Sequence, residues 1–428
     1  MQIVVIGSGA AGTFAAFTIK ELNKRPDIKI FSTELYPAYS PCVLPQYLSG
    51  ALDRQMVFLK SFDDYRQQRI TTFFGEKVVS ISIDNKMMFS ERQSVPYDRL
   101  IIATGSRPVV PSLPGVDKNG VFLIKSLRDA DEILNCPWDR AVVVGSGPIG
   151  VEISAALKRR GGMVYLLELE NQIMPRVFDE GPASLLQKHL EEHGVRVLTG
   201  EAALEIQGVE KVQKLLTTKQ AIYCDLVVLA AGVVPEIEVA KQAGLIIGEL
   251  GGIKVDAQMM TSIPDIYACG DCIEVEDLLT HKPKLSLKWY DARLQAEVAA
   301  SNCVGKHREY RGSYEVTNLD LFDVHAVSIG SPESLLQHKR NGLEIIERIG
   351  DRHYHRFLVV DGRLMGAQLV GRSDYVGSIL SAMIRGDDIS YIRGLVGSGN
   401  LIMVPSMLLA NNYLGREFVL SAMANSKR

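Results

Sequence analysis

Four β-branched residues, Ile3-Val4-Val5-Ile6, run straight into Gly7-Ser8-Gly9-Ala10-Ala11-Gly12, and an apolar, alanine-rich stretch with helical spacing follows from Thr13 to Leu22. A strand that turns through Gly-x-Gly-x-x-Gly into a helix is the fingerprint of a dinucleotide-binding βαβ unit. Gly7 permits the sharp turn, Gly9 lets the backbone approach a pyrophosphate, and Gly12 lets the helix pack on the strand. The phosphates then rest on the free N–H groups of the helix N-terminus.

The device recurs. Ala141-Val142-Val143-Val144 leads into Gly145-Ser146-Gly147-Pro148-Ile149-Gly150. Each copy is followed by a further apolar strand ending in small residues, Leu100 to Gly105 for the first and Leu226 to Gly232 for the second. Two such units imply two dinucleotides, and hydride traffic between them. In the second copy Glu168 stands close to the ~20-residue spacing at which an acid takes the ribose hydroxyls. Leu169 and Glu170 supply no arginine for a 2′-phosphate, so NADH is favoured over NADPH. In the first copy Ile28-Lys29-Ile30-Phe31 reads as the second strand, Ser32 stands at its end, and Glu34 is the candidate ribose acid.

A chain of 428 residues has room for two or three domains. A net charge of −3 argues against a nucleic-acid surface. No apolar run reaches the ~20 residues of a bilayer span, and the apolar start lacks the basic flank of a secretory leader. Six scattered cysteines, Cys42, Cys136, Cys224, Cys269, Cys272 and Cys303, argue against a disulfide framework and for the cytoplasm. No spacing marks a metal or iron–sulfur site within the chain, and none is assigned.

Several further motifs occur in order: Ser40-Pro41-Cys42-Val43-Leu44-Pro45, Ala103-Thr104-Gly105, Gly232-Val233-Val234-Pro235 and Ala268-Cys269-Gly270-Asp271. With the two glycine turns they make the chain resemble the pyridine nucleotide–disulfide oxidoreductases over about residues 1–330. The resemblance implies an α/β fold with two Rossmann-like domains, the NAD domain inserted in the FAD domain. It sets an FAD domain at 1–112 and 246–309, an NAD(H) domain at 113–245, and an α+β interface domain at 310–428.

It also implies residue roles. FAD would meet Gly7, Gly9, Ala11, Gly12, Glu34, Cys42, Val78, Ala103, Thr104, Gly105 and Asp271. NAD(H) would meet Gly145, Gly147, Ile149, Gly150, Glu152, Glu168 and Gly232. Cys42 and Glu152 are the catalytic candidates. The lone Cys42, with Tyr47 where paired-cysteine relatives carry the second thiol, is similar to the coenzyme A disulfide reductase and NADH oxidase branch. Such a cysteine cycles between thiolate and mixed disulfide or sulfenate. Against that branch, Ala10 replaces a histidine of the oxidases, and Thr18 replaces a basic residue of the coenzyme A enzymes, with Lys20 and Lys24 as imperfect substitutes. Tyr36-Pro37-Ala38-Tyr39-Ser40 also resembles flavin reductases that hand electrons to small iron proteins.

Three functions follow from the resemblance. The first is an FAD/NAD(H) subunit passing electrons to iron–sulfur protein subunits through its C-terminal domain, as in 2-oxoacid and tungsten aldehyde oxidoreductase complexes. The second is a free-standing homodimeric coenzyme A disulfide or polysulfide reductase, or NADH oxidase, using Cys42. The third is a flavin-bound interaction protein without turnover. In local structure, Phe74–Ile81 with Lys86–Phe89 reads as a β-meander. Leu343–Ile349 and His355–Val360 read as strands with turns at Asn341-Gly342 and Asp361-Gly362. Val376–Arg385 and Met403–Tyr413 read as helices. Cys269-x-x-Cys272 reads as small residues beside a ligand, and His353 with His355 as stacked or solvated rings.

Overall fold

The computed structural model describes residues 1–330, 332–333, 342–371, 373 and 376–387. The chain is mixed α/β, as its alternation of strand and helix patterns requires. It divides into two compact units, Met1–Asp139, Ile206–Gln213 and Cys224–Ser313 in one, and Arg140–Glu205, Lys214–Tyr223 and Tyr314–Arg428 in the other.

The first unit is built on a five-stranded parallel sheet in the order Ile266–Ala268, Arg99–Ile102, Gln2–Ile6, Asp27–Ser32, Ile70–Phe74. Ile3, Val4, Val5, Ile28, Ile30, Leu100, Ile101 and Ile102 are all fully buried. Such continuous apolar runs are what a parallel sheet covered on both faces demands. The helix Ala10–Leu22 packs against the helix Trp289–Cys303, with Phe14 edge-on to Trp289 at 5.5 Å between centroids. Phe74 closes the parallel sheet and does not belong to the meander; the meander comprises Val78–Ser82, Met87–Ser90 and Ser94–Pro96. Gly75, at φ +71°, separates the two.

In the second unit Arg140–Val144, Met163–Leu167 and Val195–Leu198 pair in parallel. Pro148 opens the helix Pro148–Arg159 at a position where its missing N–H has no helical partner to lose. The C-terminal segment folds as a five-stranded antiparallel sheet, ordered Val316–Leu321, Val324–Gly330, Arg363–Val370, His353–Val360, Leu343–Gly350. Asp361 and Gly362 join two of these strands with φ of 51° and 73°. Positive φ at both central residues is the requirement of the type I′ hairpin expected of Asp-Gly. The helix Val376–Arg385 forms as its spacing predicts, whereas Met403–Tyr413 and Asn341 lie outside the described residues.

Arg356 fastens this sheet to the segment before the helix Glu180–Glu192. Its Nε donates to Asp179 Oδ2 at 3.0 Å, and its two terminal nitrogens reach Glu333 and Glu347. Gln368 adds a reciprocal pair with Asp179, both bonds 2.9 Å. Among the described residues no helix is long and apolar enough to cross a membrane.

Candidate functional site

In both copies the glycine turn starts from the same backbone bond. Gly7 N–H donates to Phe31 O at 2.7 Å, and Gly145 N–H donates to Leu167 O at 2.8 Å. Both glycines hold left-handed φ, 106° and 101°. A Cβ on Gly7 would stand 2.1 Å from Ala103 O, and one on Gly12 would stand 1.9 Å from Gly7 O. Both positions therefore exclude every side chain. Gly9 and Gly147 are different: a Cβ there would meet nothing within 4 Å. They open onto free space at the starts of the helices Ala10–Leu22 and Pro148–Arg159, where unpaired N–H groups point outward.

The acid beside each turn is arranged differently. At the end of Met163–Leu167, Glu168 is buried and its Oε2 accepts from both Ser146 N–H, at 2.9 Å, and Ser146 Oγ, at 2.5 Å. Glu170 N–H donates to its Oε1 at 2.9 Å. At the matching place in the first copy, Ser8 Oγ donates to Ser32 Oγ at 2.8 Å. Glu34, two residues further on, accepts from Tyr39 Oη at 3.0 Å, and Tyr39 Oη in turn accepts from Leu127 N–H at 3.0 Å. Burial pushes the Glu34 carboxyl above the usual carboxylate range and the Tyr39 hydroxyl above the usual phenol range.

Asp271 follows the strand Ile266–Ala268. Its Oδ2 accepts from Ser106 Oγ at 2.6 Å and from Lys125 Nζ at 3.1 Å. Gly270, just before it, leaves room for only a small neighbour, since a Cβ there would lie 2.8 Å from Ala11 Cβ. Thus Gly7, Gly12 and Ala103 meet at one turn, and Ala11 touches the segment that carries Asp271. Thr104 Oγ1 donates to Glu236 O at 2.5 Å, and Gly105 accepts from Glu236 N–H at 2.9 Å. Gly105 and Gly232 both hold positive φ with open space beside them. Val78 is buried at the start of the meander. Ile149 is 47% exposed on the open face of its helix N-terminus.

Cys42 is an exposed thiol in the 3₁₀ turn Pro41–Val43, directly before the short helix Leu44–Ser49. Tyr47 does not reach toward a thiol chemistry; its Oη donates to Asp131 Oδ1 at 2.7 Å, and Arg54 holds the same carboxylate with two nitrogens. Cys269 and Cys272 are fully buried, and desolvation raises both thiol pKa values, so neither offers a thiolate. Lys20 is buried, with Nζ donating to Pro26 O at 2.7 Å. It is therefore not available to an incoming anionic substrate. Glu152 faces Asp320 of the C-terminal sheet; burial first, and the Asp320 charge second, push its carboxyl up to about 8. His353 and His355 lie 5.6 Å apart between ring centroids, and His355 is buried.

The profile of the pyridine nucleotide-disulphide oxidoreductases matches residues 1–296. The chain belongs to this family. An NADH oxidase of Methanocaldococcus jannaschii is 35% identical over 342 residues, covering 77% of this chain and 75% of that protein. The assimilatory nitrate reductase electron transfer subunit of Bacillus subtilis is 30% identical over 398 residues, 92% of this chain, and the chain spans 50% of that protein's length. A solved structure of an NAD-dependent persulfide reductase from A. fulgidus superposes with a TM-score of 0.88 at 29% identity, over 95% of this chain and 80% of that one. As a family member the chain is a flavin oxidoreductase of pyridine nucleotides. Ser106, Lys125, Tyr39 and Asp320 join the candidate residues only through the structure. No motif marks Ser106, Lys125 or Asp320, because each acts on a partner far away in the chain; Tyr39 reaches Glu34 close by in sequence, and its distant partner is Leu127.

Proposed function

We propose that this chain binds FAD at its first glycine turn and NAD(H) at its second, moves a hydride between them, and passes the electrons to an iron–sulfur protein. The observation that carries the two-nucleotide reading is the pair of turns whose middle glycines, Gly9 and Gly147, face open space, each in a turn whose first glycine donates to the end of the neighbouring strand. Two buried polar atoms without partners, Trp289 Nε1 at the start of the helix Trp289–Cys303 and Gln46 Oε1 just after Cys42, fit a bound group in the first unit. Flavin accepts two electrons from a nicotinamide and can release them singly, which is the chemistry needed between NADH and an iron–sulfur centre.

The chain's own residues supply position and charge. Gly9 and Gly147 admit the pyrophosphates to the helix N-termini. Glu168, oriented by Ser146 and Glu170, accepts the ribose hydroxyls of NAD(H) and repels a 2′-phosphate. Asp271, held by Lys125 and Ser106, takes a ribityl hydroxyl of FAD, and Glu34 takes its adenosine ribose. Burial, and after it the Asp320 charge, favour the neutral form of the Glu152 carboxyl, which limits the charge it would place beside the nicotinamide.

Two findings support electron transfer to a protein. One is the 30% identity, over 92% of this chain, to a protein named an electron transfer subunit. The other is the burial of Lys20, which leaves only exposed Lys24 of the two candidate cations for a coenzyme A substrate. The exposed Cys42 favours a second reading, a disulfide or persulfide reductase. Cys42→Ser decides between them. In the first reading NADH-dependent reduction of an artificial dye and of the iron–sulfur partner stays within about threefold of wild type, under ~1 kcal/mol in barrier. Robust wild-type turnover of coenzyme A disulfide, abolished by Cys42→Ser with flavin reduction intact, would establish the second.

A further inference from the structure

The second unit holds a side-chain cluster that hydride transfer leaves unused. His189 and His193 stand one helical turn apart, the first within Glu180–Glu192 and the second capping it. Residues four apart share a helix face. Phe322 and Asp323 form the turn between the strands Val316–Leu321 and Val324–Gly330, opposite that face. His189 Nε2 lies 3.1 Å from Asp323 Oδ1 and 3.1 Å from Leu321 O, while His193 Nε2 lies 3.7 Å from the same Asp323 oxygen. One donor atom from each of the three side chains falls within 4.8 Å of the others.

These separations match the edges of a coordination polyhedron. Nitrogen and oxygen ligands about 2.1 Å from a tetrahedral ion stand about 3.4 Å apart. The 3.1 and 3.7 Å separations straddle that value, and the longer one exceeds a hydrogen bond. His193 is already oriented as a ligand. Its Nδ1 lies 2.9 Å from His189 O, and a carbonyl only accepts, so Nδ1 carries the proton and Nε2 offers its lone pair toward Asp323. Its ring lies flat on Phe322, 4.0 Å between centroids and 9° from parallel. A second ring nitrogen donating to a carbonyl is the usual support of a metal-bound histidine. Asp323 is 58% exposed, which leaves an entry path and room for water.

The cationic neighbours are Arg352, whose Nη1 lies 3.6 Å from Asp323 Oδ2, and Arg159, which donates to Phe322 O at 3.0 Å. Arg352 uses the other carboxylate oxygen and leaves Oδ1 to the cluster. We propose that His189, His193 and Asp323, with the Leu321 carbonyl, form a site for a divalent first-row transition ion, Zn²⁺ fitting best, that ties the first hairpin of the C-terminal sheet to the helix Glu180–Glu192. Two imidazoles select such an ion over Mg²⁺ or Ca²⁺, which take oxygen donors. On binding, the ion replaces the His189 Nε2 proton, which leaves to solvent.

The test uses the full-length flavoprotein, treated with chelator and desalted, then titrated with ZnCl₂ by calorimetry and thermal unfolding. Wild type should bind one equivalent at this site and unfold at a higher temperature with Zn²⁺. His193→Asn and Asp323→Asn change partly exposed side chains, and each should weaken that equivalent at least tenfold and abolish the Zn²⁺-induced rise in Tm. The rise is read against each variant's own metal-free Tm, so a change in fold stability does not imitate it. Absence of the equivalent from wild type, or unchanged binding in either variant, overturns the proposal.

Discussion

The two glycine turns begin from the same backbone geometry and diverge in what surrounds them. In the first, Ala11 lies under Gly270, the place that pairs with an acid in the second is Ser32, and Phe14 packs on Trp289 inside the fold. In the second, Ile149 stands exposed, Glu168 is buried and held by three donors, and Glu152 takes the position that Phe14 takes in the first. The helix after the first turn is packed within its own unit at Ala11 and Phe14, whereas the helix after the second leaves Ile149 exposed. That contrast is what a retained cofactor and an exchangeable one require of the same motif: area buried around one, and a small set of oriented polar groups for the other.

The largest expected effect tests the sealed half of the comparison. Gly12→Ala drives a Cβ into the Gly7 carbonyl and should cost about 3 kcal/mol of stability, with flavin lost on purification. Gly9→Ala, whose Cβ would meet nothing within 4 Å, should leave the flavin-free unfolding midpoint unchanged and lower FAD retention. Equal destabilisation by both would remove the distinction between a packing glycine and a ligand glycine.

Glu168→Ala tests the open half. Loss of a charged hydrogen-bond acceptor is worth about 2 kcal/mol, so kcat/KM for NADH in anaerobic flavin reduction should fall about 30-fold while flavin content stays constant. An unchanged value for NADH, or wild-type efficiency with NADPH equal to that with NADH, would refute the ribose assignment.

Glu152 gives a smaller, pH-dependent effect. Its carboxyl is raised from 4.5 to about 8 in the folded protein, so the folded state binds the proton more tightly than the unfolded one. Stability from this group is present below pH 4.5 and is lost as pH rises toward about 8. Glu152→Gln should flatten the fall across that window by on the order of 1–2 kcal/mol, followed as Tm against pH. Phe14, at the matching place, has no such dependence. The smallest effect belongs to Ser32→Ala, which removes one hydroxyl pair and should lower stability by about 1 kcal/mol without changing NADH kinetics.

Much of the fold is legible in the residues because it is periodic and local. The strand at Ile28–Phe31 needs one added residue at each end, and the hairpin at Asp361-Gly362 and the helix Val376–Arg385 form where their patterns stand. In sequence Phe74 fits the meander as well as the parallel sheet, because an apolar residue before a glycine suits either. The site is legible only in part. The glycines of both turns are visible because their backbone need is strict. The Lys125–Ser106–Asp271 contact is not, because its members come from three distant segments and none follows a period. Lys20, an ordinary basic residue in the sequence, is removed from consideration by a single bond to Pro26 O.

What the sequence by itself determined was the pair of dinucleotide units and the acid of the second. Strand, turn and helix are set by residues within ten positions of each other, and glycine at φ near 100° admits no substitute. What only the tertiary structure decided was charge and access. It placed Asp320 against Glu152, Leu127 on Tyr39, and the Asp323 turn across from His189 and His193. Those pairings depend on desolvation and on distances across the chain, which no local pattern encodes.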